Sequence, residues 1–356
     1  MLLTGGLACT ERRLPVPPSN APLRRPPAEL VRLIRSQAYE SRLSIDGLAF
    51  ADSTLYVATN IGLLEVRDHA VAAIDQWPSD ENVVSGPWAD AARRQLWVLR
   101  VRDNTFRLRE GASWRAVPPP SPEGGYTRGD VLEGFRAAAD SAAFRLVGAG
   151  HVWRWADSSW VAEPNPPVTG SDGVVGAAFV GGRALVMTSS GGCGYLSCTN
   201  RAFWREGADW GPALAVAVSE IAEVIVATDG ASEKVYMRGT DGGLLRADRD
   251  SLVRVSTPGP CEAIARGSGG RLLASFRDAG IFTADGQGWR KRFDDPTRGA
   301  PGKQRAYIAE FSGVVALATT TVPNLKPGTN DEWFESGTLG LWISDSTGLR
   351  RVSLSP

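Results

Sequence analysis

The chain has 356 residues, 43% of them hydrophobic, with 39 basic and 39 acidic side chains and no net charge. That length can bury one large closed core or two ordinary domains. The lack of a basic excess excludes a typical nucleic-acid binder. The 40 glycines, 23 prolines and 12 tryptophans predict many tight turns and aromatic-rich packing.

In chain order, residues 1–9 (MLLTGGLAC) resemble the end of a bacterial lipoprotein signal, which makes Cys9 the candidate lipidated residue. Gly6 stands where that pattern prefers leucine, and no basic region precedes the apolar run; a start assigned too late accounts for both. The alternative is an ordinary disordered N-terminus. Within the stretch 10–39, residues 10–29 hold Pro15, Pro17, Pro18, Pro22, Pro26 and Pro27 among four arginines. Such a run is an extended, semi-rigid tether. Leu30, Leu33 and Ile34 suggest a short amphipathic helix over residues 28–39. No other segment is long and apolar enough to cross a bilayer.

From residue 40 onward a sentence repeats. Residues 55–68 (LYVATNIGLLEVRD) read as strand, turn, strand. Asn60, Ile61 and Gly62 break the run, because glycine tolerates the backbone a hairpin needs. Seven such units align on a second turn followed by a large apolar residue: Val71, Trp114, Trp160, Trp210, Leu252, Trp289 and Leu349. The gaps are 43, 46, 50, 42, 37 and 60 residues. Short strands at that period predict an all-β, seven-bladed β-propeller over residues 40–356, behind the Pro-rich tether. Its last blade is expected to be completed by residues 349–354, or alternatively by a strand from residues 39–45.

Each unit opens with a strand carrying a small residue at a nearly equivalent place: Gly47, Gly86, Gly134, Gly176 and Ala263. Innermost strands crowd the axis, so small side chains are expected there on sterics alone. Asp46, Glu133 and Glu262 stand beside three of these positions, and Glu223 and Glu310 lie in the opening strands of units five and seven. Directed into the channel, they form a candidate cation or ligand site, with Ca2+ the fitting ion. At a solvated channel mouth they would need no ligand. No cofactor is otherwise implied.

Cys193 and Cys198 have four residues between them in the Gly-rich stretch GGCGYLSCTN, a spacing that fits a small disulfide ring and an oxidising compartment. Two inert thiols are the alternative. Cys261 falls in an apolar inner strand and reads as core. His69 and His151 are the two histidines, each in or beside a turn, so no zinc pair or nucleophile–base couple is visible. Residues 283–289 approach the Asp-box of sialidase propellers with spacing off by one, and turn chemistry explains them. The extra residues of the last unit fall mainly at 319–338, with Trp333 and Phe334 as candidate partner-binding anchors.

LYVATNIGLLEVRD, VYMRGTDGGLLRAD and LLASFRDAGIFTAD resemble the two-component-regulator propeller repeat, roughly L-W-V-G-T-x-x-G-L-x-R-Y-D. The likeness is clear in units one, five and six and blurred in two, three and four. It implies an extracytoplasmic propeller that senses ligands or scaffolds partners, and it marks no catalytic residue. The expectation is therefore a non-catalytic binding or scaffold protein of the bacterial periplasm or cell surface. It would meet the membrane only through a lipid on Cys9, and its partner would be an envelope protein or small ligand. The competing expectation is a cation-dependent lactonase- or lyase-like enzyme using the channel-mouth carboxylates.

Overall fold

A sheet with two apolar faces is stable only when both are covered. The computed structural model of the chain meets that demand with seven sheets, each facing the next around a ring. It describes residues 23–25, 28, 45–51, 53–59, 62–76, 84–90, 95–100, 105–111, 113–120, 136–137, 139–140, 143–148, 151–168, 173–190, 199–218, 220–230, 232–298, 303–321 and 340–352. The expected helix at 28–39 lies outside these but for Ala28, as does most of the tether. Among the described residues no helix is long and apolar enough to cross a membrane.

Blade 1 is built from consecutive antiparallel strands, Ile45–Ala51, Thr54–Thr59, Gly62–Arg67 and Ala70–Gln76. The other blades follow the same meander, and blade 7 runs Lys303–Phe311, Val314–Thr321, Gly340–Asp345 and Gly348–Arg351. The C-terminal strand thus completes blade 7, as expected. Closure of the ring is made by side chains: Ile45, Val57 and Leu64 of blade 1 pack with Ala316, Leu341 and Ile343 of blade 7. One hydrophobic cluster fills each space between consecutive blades. Between blades 2 and 3 it is aromatic, with the buried Trp97 ring stacked on Phe144 at 4.5 Å.

Two departures were not announced by composition. Leu23–Arg25 pairs antiparallel with Ala70–Gln76 and gives blade 1 a fifth, outer strand. The free edge of an outer strand offers unpaired amides and carbonyls, and an extended segment satisfies them. Among the described residues the inner strand of blade 3 is Arg136–Ala137, and Ala139–Asp140 then pairs in parallel with the inner strand of blade 4, Gly173–Val180.

All seven anchors start the fourth strand of their blade and sit opposite the end of the third, as in Trp155 with Trp160 and Ala284 with Trp289. Two of them also clip their blade to the one before. The Trp160 indole donates to the Pro118 carbonyl at 2.9 Å, and the Trp289 indole donates to that of Ser256 at 2.8 Å. Replacing Trp289 by phenylalanine keeps a ring but loses that bond. The expected cost is about 0.5–1.5 kcal/mol in chemical denaturation; a neutral result would show the clip to be incidental.

Candidate functional site

The sheet register explains the small residues of the opening strands. In six blades the pairing of strands one and two slips at the same place: Ile45/Gly47, Ser85/Trp88, Val174/Gly176, Ile221/Glu223, Cys261/Ala263 and Lys303/Arg305. A bulge bends the strand and inserts an extra residue. Neighbouring inner strands approach closely there. A Cβ on Gly47 would overlap the carbonyl oxygen of Gly86 in blade 2, and one on Gly176 would lie 3.1 Å from Val224 of blade 5. Gly134 lies outside the described residues.

The same register places the candidate carboxylates. Asp46 and Glu262 are the extra residues of the bulges in blades 1 and 6. Glu223 takes the place that Gly47, Gly176 and Ala263 hold elsewhere. Glu310 lies five residues past the blade 7 bulge, at the other end of its strand. At about 3.3 Å per residue that is roughly 16 Å away along the ring axis. Glu133 lies outside the described residues. The described candidates therefore divide between two ends of the channel and do not meet at one point.

Glu223, Glu262 and Glu310 each meet an arginine. Glu223 receives the Arg238 Nε at 2.7 Å from the facing strand, and the Ile264 amide at 3.0 Å from the inner strand of blade 6. It staples one blade to the next. Glu262, nearly buried, accepts from Arg277 Nε at 3.1 Å. Glu310 is buried with Arg292 3.7 Å away, and its other oxygen packs where a Cβ on Gly267 would stand. Among the described residues no three His, Cys, Asp or Glu gather in a way that would hold a metal ion.

Among the described residues the densest charge cluster lies where residue order gave no sign of one. Glu163, just after the outer strand of blade 3 (Ser159–Ala162), meets three guanidiniums. Arg145 lies at 3.2 Å, Arg154 at 3.4 Å and Arg205 of blade 4 at 3.0 Å. Arg145 also stacks over Phe179 at 3.9 Å. Burial by itself would raise the Glu163 pKa, but hydrogen bonds and charge from Arg205 and Arg145 outweigh it and hold the carboxyl below its usual range. Arg145 is lowered by burial, opposed by Glu163 and assisted by the two other arginines. Arg145 and Arg154 face each other on paired strands, a like-charge pair stable only with an anion between them.

Cys261 is core as expected: burial pushes its thiol up to about 12. Cys9, Cys193, Cys198, Trp333 and Phe334 lie outside the described residues. The Asp-box-like stretch is a turn, in which Asp285 Oδ1 accepts the Gln287 amide at 3.1 Å. His69 sits in the third-to-fourth-strand turn at φ 60°, and His151 Nδ1 is 2.9 Å from Asn165 Nδ2.

No protein-family model matches the chain, and no curated protein sequence does. Solved structures do resemble it. A luciferin-regenerating enzyme shares 13% identity over 76% of this chain and 94% of its own, with a TM-score of 0.47. The Dos1 propeller shares 8% over 77% and 76%, with a TM-score of 0.48. The extracellular domain of a putative hybrid two-component system from B. thetaiotaomicron shares 12% over 87% of this chain and 44% of its own, also at 0.48. These neighbours have mixed roles, and the architecture rests on the seven sheets themselves: the chain is a seven-bladed β-propeller.

Proposed function

We propose that this propeller is a non-catalytic recognition protein of the bacterial cell envelope, which binds a partner protein through one of its two faces. The observation that carries the reading is the inequality of those faces. On one, strands meet in tight turns such as Asp68-His69, Asp157-Ser158 and Ser312-Gly313, all with positive φ. On the other, ten residues separate Ser189 from Asn200 and eighteen separate Thr321 from Gly340. A plain blade needs neither length, and long connections on a rigid scaffold are where binding residues concentrate. The longer one contains Trp333 and Phe334, side chains suited to anchoring an interface.

The pairing of Glu223, Glu262 and Glu310 with arginines favours a structural use of these carboxylates over a catalytic one. A lipid on Cys9 and a Cys193–Cys198 disulfide would suit the same periplasmic or cell-surface setting. The test changes Trp333 and Phe334 together to alanine. Loss of a crosslinked partner from native envelopes, with an unchanged melting temperature, is expected. A fall of several degrees instead would place both rings in the propeller's own packing and end the proposal.

A further inference from the structure

The face of tight turns holds a cavity of its own, of about 290 Å³, between blades 4 and 5. Val180 lines it on the apolar side, the buried Val235 and Ala247 lie beneath it, and one wall is the Trp204 ring. The Trp204 indole is fixed by donating to the Asp248 carbonyl at 3.1 Å, across the blade boundary. Arg183 lies over that ring at 4.3 Å.

The charges of the lining are not equally spent. Asp248 is taken by Lys234 at 3.3 Å and Arg246 at 3.2 Å, and Glu233 by Arg266 at 2.9 Å. Arg183, Arg249 and Glu206 line the same cavity and make no ion pair among the described residues. A guanidinium held over an aromatic face keeps its N–H donors available, and those of Arg183 have no acceptor among the described residues. Those donors match the two oxygens of a carboxylate.

We propose that this groove binds an extended peptide segment of a partner, with an acidic residue on Arg183 and a neighbouring apolar side chain over the partly exposed Val180. An extended strand sends successive side chains to opposite sides, so one can reach the guanidinium and the next the apolar lining. Glu206 is then an acceptor for a peptide amide. The groove opens on the face opposite the long connections, so the inference stands whether or not Trp333 and Phe334 bind anything.

The experiment selects a phage-displayed random octapeptide library on the immobilised full chain. The expected winners carry Asp or Glu beside an aliphatic or aromatic residue. A synthetic winner should bind Arg183→Gln at least tenfold more weakly, and should shift the indole N–H resonance that Trp204→Phe removes. Arg183→Lys keeps the charge without the fork, so it decides the matter should Arg183→Gln fold poorly; it too is expected to lose tenfold at an unchanged melting temperature. Winners without acidic bias, no enrichment at all, or equal binding to either arginine variant would overturn the proposal. Displacement of the peptide by millimolar inorganic phosphate or by phosphatidylglycerol vesicles would also overturn it, showing a general anion site.

Discussion

Gly280→Ala is expected to destabilise the propeller by about 3–5 kcal/mol. Gly280 opens the third strand of blade 6 with φ +113°, a backbone angle that L-residues rarely adopt. That strain costs about 1–3 kcal/mol. Its Cβ would also overlap the Phe293 carbonyl oxygen and lie 3.1 Å from the Asp294 Cα. Backbone cannot step aside as a side chain can, so overpacking adds about 1–3 kcal/mol more. Gly62 holds the equivalent place in blade 1 with φ +134°. Gly181→Ala is the internal control. It has φ +57° and nothing within 4 Å of a built Cβ, so only the modest left-handed cost of about 1–2 kcal/mol applies. Equilibrium unfolding of both variants decides the matter, and equal losses would refute the role given to the Phe293 contact.

Glu163→Gln is expected to cost about 2–4 kcal/mol at pH 7. The variant keeps the shape and removes the charge, which leaves Arg145, Arg154 and Arg205 facing one another at the boundary of blades 3 and 4. Breaking a buried pair by removing one partner costs about 3–5 kcal/mol. The lower figure allows for Arg154, whose side chain is 38% exposed and screened by water. The pH dependence follows from the depressed carboxyl. Its stabilisation is fully present above the unfolded pKa of about 4.3 and is lost as pH falls through the lower folded value. The gap between the native chain and the variant should therefore be widest near neutrality and close in acid. A gap independent of pH would mean that the carboxylate charge is not what holds the cluster.

The two effects differ in how far they could be read from residue order. Gly280 belongs to the repeated phrase, and its need for an unusual backbone was visible as the glycine that ends the turn in units one, five and six. Glu163 gave no such sign. It follows a strand, beside Pro164 and Asn165, and its partner Arg205 is 42 residues away in another blade. The inner carboxylates fall between these cases. The hairpin register makes Glu223 and Arg238 facing residues, so that pair was within reach of a strand alignment. The distance of Glu310 from Asp46 and Glu262 was not, because it depends on where the bulge resets the register.

The sequence by itself determined the number of blades, the place of the fourth-strand anchors, the small residues near the axis and the burial of Cys261. All of these follow from patterns that operate within one hairpin or one sheet. Alternation sets which face a side chain takes, glycine sets where the chain can turn, and crowding sets what fits. Only the tertiary structure decided which arginine meets which carboxylate, that Leu23–Arg25 joins blade 1, and that a groove with an open guanidinium lies between blades 4 and 5. Those features arise where two blades touch. The groups concerned are brought together by ring geometry, and the charged partners are interchangeable in type and far apart in the chain, so no local period marks them.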